Sequence, residues 1–313
     1  MSITVNDPCI PNWQSFASVD GSTLVDRHET GSVVVDGQLY VFGGRGNRPI
    51  QSFDPQTGTW TDLGTPPIQL HHVQPVHVNG RIYLIAGMTG NFPAEPSVAD
   101  IHYYDIAAQT WGIAGTIPAA RLRGGAGAVA RNGKIYIVGG NTNGHSGGAV
   151  PWFDEFDPAT GTWEVLPDAP SARDHFQAVL TENRYITLGG GRESDFPDTF
   201  SQTVSATDVY DFASGTWSNE ADIPTPRAGT MSVAVGDEVW VIGGEIAQSG
   251  SALNTVESFR PTNGAWQTRP PMIDGRHSGA AGLIDQVIHV IGGSSSRGGG
   301  GEFDAHETLN VSD

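Results

Sequence analysis

A chain of 313 residues, 38% apolar and 16% charged, is long enough to bury a sizeable core and is neither a disordered tail nor a coiled coil. Its formal net charge of −18, with one lysine (Lys134) among 16 basic residues, would repel phosphate backbones and anionic lipid, which excludes nucleic acid and membrane surfaces as expected partners. The 42 glycines and 20 prolines punctuate it as many short strands and turns would.

The chain starts without a basic segment followed by an apolar one, and no apolar run approaches the ~20 residues that span a bilayer. A cytoplasmic protein is expected, although a secretory leader already removed would leave the same start. Cys9, the single cysteine, can form neither an internal disulfide nor a thiolate metal site.

From residue 30 onward one pattern recurs. An apolar alternation runs into a glycine pair at Gly43-Gly44, Gly139-Gly140, Gly189-Gly190, Gly243-Gly244 and Gly292-Gly293, with Ala86-Gly87 in the second copy. An aromatic and a polar residue follow, then a tryptophan six residues after the polar one: Phe53-Asp54 and Trp60, Tyr104-Asp105 and Trp111, Phe156-Asp157 and Trp163, Tyr210-Asp211 and Trp217, Phe259-Arg260 and Trp266. The period is about 43 to 54 residues and there are six copies. Turn signals such as Asn132-Gly133 and Thr57-Gly58-Thr59 divide each copy into four antiparallel strands. A lone sheet of four strands cannot bury both faces, whereas six packed radially can, so the pattern predicts an all-β, six-bladed β-propeller forming one domain over 1–313. The sixth copy lacks its tryptophan strand, and the segment around Trp13 (near 10–17) is predicted to supply it and close the ring.

The glycine pair, the aromatic-Asp pair and the tryptophan at these spacings resemble the Kelch family. The resemblance covers almost the whole chain and implies the same propeller fold. Copper-radical chemistry of the galactose-oxidase kind would need a Cys–Tyr site, and Cys9 lies outside every repeat. The Glu-x-x-x-Asp-x-x-x-His iron motif of plant specifier proteins does not occur. The sialic-acid mutarotase is similar in having six Kelch repeats, which implies a class of activity but transfers no residue.

Loop length separates the two faces. From the glycine pair to the residue after the aromatic, the first five repeats take 11, 19, 18, 22 and 17 residues, whereas the step from each repeat tryptophan to the following Arg or Leu holds at ten. Function is expected on that variable face. Aligned on the glycine pair, the segment entering each first strand reads Arg27-His28-Glu29, Leu70-His71-His72, Arg123-Gly124-Gly125, Arg173-Asp174-His175, Arg227-Ala228-Gly229 and Arg276-His277-Ser278. In the third repeat Arg121 competes with Arg123 for the register. The recurring arginine is expected to be structural, bonding carbonyls of a neighbouring blade, as are the aromatic-Asp pairs and the repeat tryptophans.

Five of the ten histidines fall in these entry segments, at the mouth of the expected channel. Imidazole, carboxylate and guanidinium converging in a concave mouth suit proton transfer or anion binding. Glu29, His72 and His175 are therefore the candidate catalytic groups. Arg45, Arg192, Glu245, His28, His277, Arg123 and Trp152 are the candidates for binding a small polar or anionic ligand. Two imidazoles and a carboxylate could also take a divalent metal, although no cofactor is demanded. Glu302, Asp304 and His306, after the Gly298–Gly301 run, carry ligand chemistry too, but the run reads chiefly as a linker. The leading expectation is a small-molecule isomerase, mutarotase or lyase. The alternatives are a protein-interaction scaffold, the commonest use of Kelch propellers, with its partner on the variable loops, and a passive carbohydrate-binding propeller.

Overall fold

The computed structural model describes residues 12–193 and 199–312. Cys9 and the loop aromatic Phe196 lie outside the described residues. Six four-stranded antiparallel sheets form a ring. The first blade runs Thr30–Val35, Gln38–Gly43, Gln51–Asp54 and Thr59–Asp62 from the axis outward, and the next four repeat that order. The sixth takes Ala280–Ile284, Val287–Ile291 and His306–Asn310 from one end of the chain and Gln14–Phe16 from the other. Ser15 pairs with Glu307 across that seam, and Trp13 is buried beside it with its indole N–H on the Pro270 carbonyl at 2.9 Å.

The alternating pattern explains the packing. Each sheet has two apolar faces, and six separate clusters of buried side chains fill the six gaps between neighbouring blades. Within a blade the repeat aromatic and tryptophan are cross-strand partners: Phe53 faces Trp60, Tyr104 faces Trp111 and Phe259 faces Trp266. The aspartate of the pair folds the outer hairpin, since Asp54, Asp157 and Asp211 each accept the backbone N–H two residues on. In the fifth blade, where Arg260 stands instead, Asn263 takes over and accepts the Ala265 N–H.

Two register details differ from expectation. In the fourth repeat the residues with positive φ are Gly190 and Gly191, not Gly189 and Gly190, because the Glu182–Arg184 turn is one residue longer than its counterparts. In the third repeat Arg123 takes the recurring position, while Arg121 stacks on Trp152 and pairs with Asp154.

The recurring arginines are structural, but they clamp their own blade. Arg123, Arg173, Arg227 and Arg276 are fully buried, donating to carbonyls that end the second strand and pairing with Asp154, Asp208, Glu257 and Glu307 on the third. Arg27 finds the neutral Gln51 there, and in the second blade Leu70 and His102 replace both partners.

Gln74 ties the inner strands together. Its Oε1 accepts both the Ala128 and Ala178 N–H at 2.9 Å, and its Nε2 donates to the Ala178 carbonyl at 2.7 Å. Gln74→Ala strands three backbone groups near the axis and is expected to cost about 1–3 kcal/mol in urea unfolding. An unchanged midpoint would show that the bridge carries no net stability.

Candidate functional site

The entry segments converge on the axis. At one aligned position all six residues adopt the left-handed conformation: Glu29 (φ 56), His72 (φ 51), Gly125 (φ 63), His175 (φ 53), Gly229 (φ 62) and Ser278 (φ 52). Backbone hydrogen bonds link neighbours around this ring, from His72 N to Glu29 O at 3.0 Å, Gly229 N to His175 O at 2.7 Å and Ser278 N to Gly229 O at 2.7 Å. The strained backbone turns these side chains inward.

Glu29, His72 and His175 meet, although they come from the first, second and fourth blades. His72 Nε2 lies 3.0 Å from Glu29 Oε2 and 2.8 Å from His175 Nε2. The third blade puts Gly125 between the two histidines, and its missing side chain leaves the gap across which the rings approach. A Cβ there would already touch Met88, Asp174 and His72 within 4.0 Å.

Around this centre lies a buried network. His71 Nδ1 faces His72 Nδ1 at 2.6 Å, and His71 Nε2 donates to the Gly90 carbonyl at 3.1 Å. His175 Nδ1 is held by Asp174, whose other oxygen accepts from Asn141 at 2.7 Å. His145 sits with Nδ1 2.5 Å from Glu95 and Nε2 3.1 Å from Arg192. Burial pushes the His71 imidazole down to about 3 and His72 down to about 4, so both are neutral near pH 7. Burial alone would raise the Glu95 carboxyl, but the His145 hydrogen bond and the neighbouring His72, His145 and Arg45 charges bring it down to about 2.

The expected binding residues are mostly committed elsewhere. Arg45 is paired with Glu95, and Arg192 with Glu245 at 2.6 Å beneath the Phe200 ring. His28 is held by Glu302, which also takes Arg48 at 2.8 Å. His277 bonds Ser278 and the Ser296 carbonyl. Arg123, buried inside its blade against Gly139 O and Asp154, does not reach the mouth, and this corrects its expected role in ligand binding. Trp152 lies off the axis, stacked under Arg121 with 4.5 Å to the ring centre. The Glu302–His306 run gathers no ligand set, because His306 turns into the sixth blade against His289. Sequence reasoning missed His145 and Glu95 as members of the network. Both sit in loops without repeat register, and an isolated His or Glu there carries no signal of convergence.

The cavity at the axis is about 40 Å³, lined by Glu29, His72, His175 and Gln177 among others. It admits an ion or a few waters, and a sugar ring does not fit. A larger cleft of about 550 Å³ opens on the variable face between the second and third blades, lined by Ala94, Glu95, Pro96, Ala119, Leu122 and Trp152.

Six radial blades with a glycine pair, an aromatic-Asp pair and a tryptophan in register define a Kelch-type β-propeller. The chain belongs to the Attractin/LZTR1 β-propeller family, whose profile matches residues 10–245, and a Kelch motif matches residues 226–273. It is 26% identical over 263 residues to the Kelch-like protein terF of Aspergillus terreus, covering 77% of this chain and 55% of that one. It is 24% identical over 261 residues to Kelch-like protein 35 of Mus musculus, covering 83% and 41%. The chain thus spans about half the length of the curated relatives it matches. The solved structure of YjhT superposes with a TM-score of 0.77 over 91% of this chain and 95% of that one, at 18% identity, a likeness of fold alone.

These relatives correct the leading expectation. Kelch-like proteins match 77–83% of this chain, which fits the scaffold alternative and not a small-molecule isomerase or lyase. The axial cavity beside Glu29, His72 and His175, about 40 Å³, is too small for a sugar ring. No helix among the described residues is long and apolar enough to cross a membrane.

Proposed function

We propose that this chain is a protein-interaction propeller that takes an extended segment of a partner in the cleft between its second and third blades. The cleft itself carries the reading: about 550 Å³, on the variable-loop face, with Leu122, Pro96 and Trp152 as an apolar floor. Phe92, 49% exposed, stands on the loop that supplies Ala94 and Glu95, the kind of rigid aromatic that anchors interfaces. The net charge of −18 favours a segment carrying Lys or Arg beside its apolar anchors. Kelch-like relatives point to protein partners as well.

Panning a random peptide library on the full chain tests this. Basic peptides with an aromatic or aliphatic anchor are expected to be enriched. Ala119→Arg, at an exposed position on the cleft rim, is expected to weaken them by about tenfold or more. Trp152→Ala should do the same by removing the floor. No enrichment, or peptides that bind both variants as well as the parent, overturns the reading.

A further inference from the structure

The joint that closes the ring differs from its neighbours. In the fourth, fifth and sixth blades the repeat tryptophan gives its indole N–H to the carbonyl just past the preceding blade's outer strand. Trp217 reaches Pro167 at 2.9 Å, Trp266 reaches Ala221 at 3.0 Å and Trp13 reaches Pro270 at 2.9 Å. The matching carbonyl for Trp60, in the first blade, is that of Ala17, directly after Gln14–Phe16. Trp60 makes no such bond among the described residues. A pocket of about 200 Å³ lies at this place, with Phe16, Ala17, Trp60 and His306 in its wall.

His306 is the second departure. Leu309 stands where the other blades have the repeat aromatic, pairing with Ile288 as Phe53 pairs with Leu39. Three residues before that position the other blades carry Ile50, Ile101, Phe153, Thr207 and Val256. Only Thr207 among them is polar, and it accepts the Trp266 N–H at 3.1 Å. In the sixth blade an imidazole takes the place, 6% exposed, with its ring centre 4.5 Å from that of Phe16 and 6.2 Å from that of Trp60. Its Nε2 shares one hydrogen with His289 Nδ1 at 2.9 Å. Whichever ring gives that hydrogen, His306 Nδ1 is left without a partner, a lone pair in one tautomer and an N–H in the other.

We propose that this pocket is a binding site for a neutral pyranose-sized ring bearing adjacent hydroxyls, separate from the cleft between the second and third blades. A hydroxyl both donates and accepts, so it satisfies His306 Nδ1 in either tautomer and can also take the Trp60 N–H. An ammonium group cannot, because the indole N–H needs an acceptor. Phe16 and Trp60 offer apolar ring surface to the C–H side of a sugar, and the Asp304 carboxylate at the exposed rim accepts from an outer hydroxyl. At about 200 Å³ against 40 Å³ at the axis, the pocket has room for the single ring that the channel excludes.

The wall is built in advance. Residues 17–23 are pinned across the first blade's outer strand by Val19 N to Gly58 O at 3.1 Å and Trp60 N to Ser22 Oγ at 2.8 Å. Gln51 Nε2 holds their far end, donating to Thr23 O at 3.0 Å. Binding therefore has little left to order.

The test follows the tryptophan indole N–H signals of the full chain by proton–nitrogen correlation NMR. Methyl glucopyranoside, methyl galactopyranoside, methyl mannopyranoside and N-acetylglucosamine are added separately, with choline chloride as a cationic control. Trp60→Phe assigns the Trp60 signal by its loss. A saturable shift of that signal with at least one sugar is expected, with the Trp152 signal in the cleft unmoved and choline without effect. His306→Val copies the residue of the fifth blade and should weaken the sugar by ~10-fold or more. Asp304→Ala, at an exposed position, should weaken it by about 3–10-fold, and decides alone should His306→Val fail to fold by circular dichroism. No shift with any sugar, a choline shift as large as the sugar's, or sugar binding unaltered by the deciding variant overturns the proposal.

Discussion

Arg227→Ala is expected to destabilise the chain by about 3–5 kcal/mol, measured by urea or thermal unfolding. The guanidinium is fully buried and gives hydrogen bonds to the Gly243, Thr225 and Val241 carbonyls at 2.6, 2.8 and 2.9 Å, and an ion pair to Glu257 at 2.5 Å. Removing it orphans those carbonyls and leaves a carboxylate buried without its counter-charge. The second blade shows the alternative solution, since Leu70 and His102 occupy the two positions with no buried ion pair. The double variant Arg227→Leu with Glu257→His should therefore recover part of the loss. A single-variant cost below about 1 kcal/mol would mean that the clamp does not hold the blade.

Acid should unfold the chain from the sixth blade. His289 and His306 share a 2.9 Å hydrogen bond among the Phe16, Phe53 and Trp60 rings. Burial pushes His289 down to about 4, and burial, then the His289 and Arg276 charges, push His306 down to about 2. The sign follows from the unfolded value of about 6.5. Above it neither state binds the protons, and the histidines cost nothing. Below it the unfolded chain takes protons that the folded chain refuses, so stability falls as pH drops from about 6.5 to 4. His289 alone contributes about 3 kcal/mol of that fall, with His306 acting in the same direction. Thermal melts across this window should show the slope, and His289→Phe with His306→Phe should reduce it by the share of those two rings, with His71 and His72 at the hub retaining theirs. The other buried imidazoles, His102 among them, supply the remainder. A slope untouched by the double substitution would place the acid-labile groups elsewhere.

The propeller was legible because its signals repeat. A lone aromatic–polar pair says little, but five with a tryptophan at one offset place the third and fourth strands of the first five blades. The recurring arginines were readable as structural, yet their partners were overlooked. An acidic residue two before the aromatic, at Asp154, Asp208 and Glu257, marks the clamp in sequence, as Glu307 does before Leu309. The Gly189–Gly191 run offered two registers, and only the length of the preceding turn settles which pair takes the bend. At the hub, alignment put Glu29, His72 and His175 at one level, and Gly125 explains why the non-adjacent pair touches. What periodicity could not show was how little space remains there. Nor could it bring in His145 and Glu95, which reach the centre through loops that follow no repeat. The inference of an enzyme rested on convergent chemistry without knowledge of volume.

The seam between Gln14–Phe16 and His306–Asn310 fixes an order of events during synthesis. The earliest of these strands leaves the ribosome with no mate, and must wait until nearly 300 further residues have been translated. Through that interval Trp13 stays exposed, and the finished blades form an open arc. A nascent chain of this kind carries its greatest risk of mispairing with a neighbour until the His306–Asn310 strand emerges, so chaperone dependence should be sharpest for chains arrested between the fifth and sixth repeats.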